Sequence, residues 1–170
     1  MHRILVVYYS RTGYTGTVAG EIAAAAKADI ERLDDGSDRS GVWGYLRCAR
    51  EAIQKRTIEI LTPAYAAAGY ELVVLGTPIW AGNISSPLRS YIVAYKAQLA
   101  RVAFFCTQGG SGAEKVFRDM AELCGKAPVA SLALTDRQID GRAYANELEK
   151  FAKTVAAASG GDQVDRRAVA

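Results

Sequence analysis

Residues 4–15 read Ile4-Leu5-Val6-Val7-Tyr8-Tyr9-Ser10-Arg11-Thr12-Gly13-Tyr14-Thr15. The first half is an unbroken run of β-branched, aliphatic and aromatic residues, the pattern of a strand buried on both faces of a parallel sheet. The second half turns small, hydroxylated and glycine-containing. A helical pattern follows at once over about 16–28, with Val18, Ile22 and Ala25 or Ala26 on one face. A strand, a hydroxyl-rich turn and a helix together build an anion site. The N–H groups that open the helix point outward, hydroxyls add donors, and the helix dipole favours negative charge. The turn therefore predicts a phosphate cradle made by Ser10, Arg11, Thr12, Gly13, Tyr14 and Thr15.

Outward from this unit, apolar runs and helical periodicities alternate. A short second strand is expected at 29–33, a polar loop at 34–41, and a helix at about 42–56, where Val42, Leu46, Ala49 and Ile53 recur at helical spacing. Residues 71–76 predict a third strand and 77–86 a loop. Ser86 before Pro87 reads as an N-cap followed by the first helical position. The helix it opens presents Leu88, Tyr91, Ile92 and Tyr95. A fourth strand is expected at 101–107, a flexible loop at 108–112, and a helix carrying Val116, Phe117, Met120, Leu123 and Cys124. A fifth strand at 129–135 precedes a last helix marked by Tyr144, Leu148, Phe151 and Val155. The expected domain is 1–158, with 159–170 a disordered tail.

Five strands alternating with helices predict an α/β doubly wound parallel sheet, with right-handed crossovers and helices on both faces. Ligands of such sheets bind outside the carboxyl ends of the strands, at the topological switch point. Three loops carry chemistry to that end. The first is the cradle. The second holds Thr77, Pro78, Ile79, Trp80, Ala81 and Gly82. The third holds Thr107, Gln108, Gly109, Gly110, Ser111 and Gly112.

The chain has 170 residues, enough for one domain with a full core, and half of them are hydrophobic. Its net charge of +3 is too weak to imply nucleic acid. All of that charge is local. Residues 37–57 carry Arg39, Arg47, Arg50, Lys55 and Arg56 against Asp38 and Glu51, and the remainder sums to zero. The segment reads as a solvated helix face or as a docking patch for an acidic partner or a nucleotide phosphate. Trp43 within it is expected to serve core or helix-entry packing. Cys48, Cys106 and Cys124 are odd in number and lack metal-ligand spacing, so reduced thiols in a cytoplasmic protein are expected. Cys106 ends a strand near the site, yet no base stands beside it in sequence, and an inert buried thiol is expected. The N-terminal apolar run is too short for a signal peptide. No stretch approaches the roughly 20 apolar residues of a membrane span.

Several phosphate-binding patterns are absent. There is no G-x-x-x-x-G-K-[ST], and no G-x-G-x-x-G after the first strand. Cys106 is not followed by arginine at phosphatase spacing; Gly112 stands there. The acidic cluster of a receiver domain is missing, with Ser10 and Gly76-Thr77 in its place. What remains is a phosphate held without lysine or metal and an aromatic residue in the second loop. Ser10-Arg11-Thr12-Gly13-Tyr14-Thr15 resembles the flavodoxin phosphate loop, [ST]-x-T-G-x-T. Gly76-Thr77-Pro78-Ile79-Trp80-Ala81-Gly82 resembles the flavodoxin loop that lines the isoalloxazine ring. The resemblance spans about residues 3–155 and implies a flavodoxin-like five-stranded sheet in the order 2-1-3-4-5 with bound FMN. It makes all three loops candidate cofactor ligands, with Trp80 facing the flavin and Gly82 a peptide that reorients on reduction.

The chain also departs from that family. Tyr14 stands where asparagine is common, although its backbone N–H serves equally. The third loop lacks the aromatic that commonly covers the outer flavin face in electron carriers, and those carriers are usually acidic. The small loop is closer to flavodoxin-like quinone reductases. The resemblance thus implies an NAD(P)H-dependent oxidoreductase of quinone-like acceptors. The alternatives are a flavodoxin-type electron carrier served by a redox partner protein, and a module that binds a nucleotide without turnover. A homo-oligomer, with a second subunit's aromatic covering the flavin face, is kept open. No residue of the three loops is a carboxylate, and none identifies itself as a general acid.

Overall fold

The computed structural model of the chain describes residues 3–36 and 41–160. Its strands are β1 (Ile4–Tyr8), β2 (Asp29–Arg32), β3 (Leu72–Trp80), β4 (Asn83–Ile84), β5 (Val102–Gln108) and β6 (Ser131–Thr135). Its helices are α1 (Tyr14–Ala26), α2 (Gly41–Ile53), α3 (Ser86–Tyr95), α4 (Ala113–Cys124), α5 (Asp136–Asp140) and α6 (Ala145–Ser159). Five strands pair in the order β2-β1-β3-β5-β6, all parallel, while β4 pairs only with β3 and antiparallel to it. This is the expected 2-1-3-4-5 sheet of the flavodoxin-like α/β fold, with a two-residue hairpin strand added.

The unbroken apolar character of the central strands has a direct cause: both faces are covered. Leu5, Val7, Val73, Leu75 and Phe104 point to one side, where they meet Leu88 and Ile92 of α3, Val116 and Met120 of α4, and Cys48 and Ala52 of α2. Ile4, Val6, Leu72, Val74 and Phe105 point to the other, against Val18 and Ile22 of α1 and Leu148, Phe151 and Val155 of α6. Successive side chains alternate between the two layers, as the pleat requires.

The structure corrects several expected boundaries. Residues 77–80 are not loop: β3 runs on through Thr77, Pro78 and Ile79 to Trp80. Gly76 and Pro78 are residue types that usually punctuate a strand, yet both lie within this one. In fact Gly76 is glycine for packing. It lies beside Phe105 in the β3–β5 register, and a Cβ on it would stand 2.1 Å from that ring. Pro78 is tolerated because β1 has already ended opposite Gly76, which leaves that edge of β3 unladdered. The N-cap of α3 is Ser85, not Ser86, and Pro87 sits in its first turn. α2 closes at Ile53, and β6 opens at Ser131. The short helix α5 was not anticipated; a capping box between Thr135 and Gln138 starts it. α6 includes Ser159, so the chain is still helical where the tail was expected to begin. The rest of that tail, 161–170, and the loop residues 37–40 lie outside the described residues. Trp43, expected to serve core or helix-entry packing, is 84% exposed and so is not in the core.

Candidate functional site

The carboxyl ends of β1, β3, β5 and β6 converge on one edge of the sheet, and the three expected loops meet there. In the first loop Gly13 is the N-cap of α1 with φ +100°, a conformation that favours glycine. Its N–H donates to Ser10 Oγ at 3.2 Å, which turns the buried Ser10 hydroxyl into the loop itself. No side chain caps α1 and no acid occupies its first turn. The N–H groups that head the helix are thus left for an outside acceptor. Thr12 is exposed beside them. Thr15 differs from the expectation in one respect. It is buried, and its Oγ1 lies 2.8 Å from Thr107 Oγ1, so its hydroxyl ties the cradle to the end of β5.

The second loop is a tight hairpin. Trp80 pairs with Asn83, and the two residues between them, Ala81 and Gly82, have φ +47° and +70°. Two positive φ values in a two-residue connection define a type I′ turn, whose twist suits flanking strands. Lys115 of α4 clamps the tip: its Nζ donates to Gly82 O at 3.1 Å and Asn83 Oδ1 at 2.8 Å, and pairs with Asp119 at 2.8 Å. Thr77 is fully buried. Its Oγ1 accepts from the backbone N–H of Ser85 at 3.1 Å and lies 2.9 Å from Ser85 Oγ, fastening the hairpin to α3. Trp80 is only 5% exposed, with its ring edge-on to Tyr9 at 5.4 Å between centroids, yet it still lines the cleft.

The third loop closes against the second. Gly112, with φ +116°, is the N-cap of α4, and a Cβ there would stand 3.6 Å from Gly82 Cα and from Ile79. Gly109, Gly110 and Ser111 are exposed. Gln108 lines the cleft, and its side-chain oxygen Oε1 is buried without a hydrogen-bond partner among the described residues.

The cleft between these loops measures about 330 Å³, within the range of small-molecule sites. Arg11, Thr12 and Tyr14 form one wall, Pro78, Ile79 and Trp80 another, and Thr107, Gln108 and Gly109 a third. Ser10, Thr15 and Thr77 support those walls from behind. Ala81, Gly82, Gly110, Ser111 and Gly112 lie outside the lining. Arg11 also reaches across to α2, its Nη1 donating to Gly41 O at 3.5 Å.

A fourth element enters the cleft that the loops did not announce. Asp136, the first residue of α5, lines it next to Gly109. Partial burial, and then the charge of Asp140 one turn along, hold its carboxyl group above the ordinary aspartate value of 3.8. Tyr14 donates its hydroxyl to Asp140 Oδ2 at 3.1 Å, and that bond raises the phenol's pKa. The capping-box spacing Thr135-x-x-Gln138 was the available signal for α5, and hence for a carboxylate at its first turn. Cys106 is fully buried, and burial alone pushes its thiol up to about 12, so it is inert as expected. Among the described residues no group of acids, cysteines or histidines could hold a metal ion, and no helix is long and apolar enough to cross a membrane.

The donor set fits the FMN that the resemblance implies. An uncapped helix start beside an exposed threonine suits a phosphate. An apolar wall around Trp80 suits a flat ring, and the orphaned buried oxygen of Gln108 awaits a polar edge.

Comparison with known proteins agrees with this geometry. The flavodoxin family model matches residues 3–155. A flavoprotein from Lactobacillus acidophilus, solved in complex with FMN, superposes with a TM-score of 0.68 at 21% identity, covering 83% of this chain and 98% of that one. Two-electron reduced flavodoxin from Megasphaera elsdenii gives 0.59 at 17% identity, covering 91% and 98%. A WrbA-like flavodoxin from Agrobacterium tumefaciens gives 0.57 at 14% identity, covering 98% and 99%. A search of curated proteins finds no match in sequence.

Proposed function

The chain belongs to the flavodoxin family, and from that premise we propose that it holds FMN in this cleft and passes electrons from NAD(P)H to quinone-like acceptors. FMN, when bound, supplies the hydride and electron chemistry, and the protein binds, orients and tunes it. Thr12 and the N–H groups opening α1 hold the phosphate. Pro78, Ile79 and Trp80 form the inner wall, and the Gln108 amide meets the polar edge.

One observation carries the enzymatic reading over the carrier reading. At the outer rim of the cleft, the lining residue Gly109 leads into Gly110 and Ser111; this rim is exposed and built without an aromatic side chain, and the Cβ position of Gly110 faces open space. A hydride passes only at near contact, so a nicotinamide and an acceptor need an uncovered face. A carrier needs only an edge and benefits from shielding.

The test is a bulky residue at that rim. Gly110→Trp should retain FMN and lose most NAD(P)H-dependent reduction of a water-soluble quinone. Unchanged turnover in the variant would overturn the open-face reading. Equal affinity of the wild type for FMN and riboflavin would overturn the phosphate assignment.

A further inference from the structure

Among the described residues, four large apolar side chains are at least half exposed: Trp43 (84%), Ile53 (62%), Leu61 (59%) and Leu46 (50%). Three of the four belong to α2. At 3.6 residues per turn, Ile53, Leu46, Arg50, Trp43 and Arg47 follow one another around less than half of that helix. The opposite side carries Cys48 and Ala52, which are buried in the core. The apolar residues at 43, 46 and 53 therefore form an outward stripe that the described residues leave exposed.

Among the described residues, the exposed charges of α2 and of the turn that follows it are positive. Arg47, Arg50, Lys55 and Arg56 are exposed. The one acid of α2, Glu51, is buried, and its Oε1 accepts from Arg47 Nε at 2.9 Å. An apolar helix face bearing tryptophan and flanked by arginine and lysine has the chemistry of an interfacial helix. Its apolar groups enter the headgroup–acyl boundary while its cations meet anionic headgroups. Acidic protein surfaces share the charge preference. However, a convex stripe of Trp, Leu and Ile offers them no pocket, whereas a fluid bilayer closes around it.

We propose that the outer face of α2 docks the protein on an anionic lipid surface. The position of the helix gives this a use. Gly41, at its start, accepts the hydrogen bond from cleft-lining Arg11, and Trp43 is only about 3 Å of helix rise farther on. Docking by α2 would thus bring the cleft toward the bilayer, where an apolar quinone partitions. This use rests on the quinone reading above; the docking itself does not.

The experiment separates the two. FMN-loaded protein is mixed with vesicles of phosphatidylcholine containing 30% phosphatidylglycerol, or of phosphatidylcholine alone, without quinone or nicotinamide. Flotation should recover protein with the anionic vesicles at low salt and release it at high salt. Emission from Trp43 should move to the blue and be quenched by brominated acyl chains, an effect absent in Trp43→Phe. Arg50→Gln should weaken binding about fivefold, as expected for one cation near the surface, and Trp43→Ala combined with Ile53→Ser should abolish it. FMN affinity and thermal unfolding should stay unchanged in these variants. No association with anionic vesicles at low salt, or association indifferent to these substitutions, would overturn the proposal. So would a dimer dissociated by Trp43→Ala, which would assign the stripe to a second copy. A failure of the quinone reading would appear instead as absent turnover with a water-soluble quinone while vesicle binding persists.

Discussion

Thr15 and Thr107, 92 positions apart, share a buried hydroxyl–hydroxyl hydrogen bond of 2.8 Å that fixes the first turn of α1 against the end of β5. Two of the three site loops are held in register by that contact. Thr15→Val leaves the Thr107 hydroxyl buried without this partner, at a cost of about 1–3 kcal/mol. The midpoint of thermal unfolding should fall by roughly 2–10 °C. The double variant Thr15→Val, Thr107→Val removes both partners and should recover much of the loss. Additive losses in the double variant would show that the two hydroxyls do not act as a pair.

Thr12 stands exposed at an uncapped helix start. A hydrogen bond to a charged group is worth roughly 1.5–3 kcal/mol. Thr12→Ala should therefore weaken FMN by about tenfold or more, leave riboflavin binding little changed, and keep the unfolding midpoint. Titration of the apoprotein followed by flavin fluorescence checks this; equal losses for both flavins would place Thr12 away from the phosphate.

The hairpin carries a strained residue. Ala81 has φ +47° in a turn whose first central position favours asparagine or glycine. The left-handed conformation costs alanine about 1–2 kcal/mol. Ala81→Asn should stabilise the protein by about 1 kcal/mol, raising the unfolding midpoint by roughly 2–4 °C. A lowered midpoint would mean that the Lys115 clamp selects some other turn.

The buried strands and the helices between them were legible because each rests on a local pattern, β-branched runs and helical spacing, whereas the strand order came only with the flavodoxin resemblance. The extension of β3 was hidden because Gly76 answers to Phe105, which lies 29 positions away. The hydroxyls of Thr15 and Thr77 look alike to Thr12 in sequence, and only their tertiary partners turn them inward. A core role for Trp43 fails because the helix turns Cys48 and Ala52 to the core instead. Asp136 carries no such local mark: it follows the last strand, outside the three loops, and only the fold brings it into the cleft.

Asp136 gives the protein a pH signature. Its carboxyl pKa is raised in the fold, first by burial and then by Asp140, so the fold favours the protonated form. That contribution is fully present below the ordinary value of 3.8 and is lost as pH rises through the higher folded value. The wild type should thus lose stability relative to Asp136→Asn as pH climbs above about 4. Urea unfolding of both proteins across that window measures the gap; a gap that stays constant or narrows with rising pH would contradict the placement of Asp136 in a desolvated cleft.

The proposed activity is a direct exchange of electrons with small molecules at the exposed glycine rim of the cleft. The most direct measurement is anaerobic mixing of the FMN-loaded protein, alone, with NADPH or NADH, followed by a water-soluble quinone. The visible flavin absorbance should bleach on adding the nicotinamide and return on adding the quinone, with no other protein present. Absorbance that persists with both nicotinamides, but bleaches with dithionite, would contradict the account and identify a carrier that is reduced only by a protein partner.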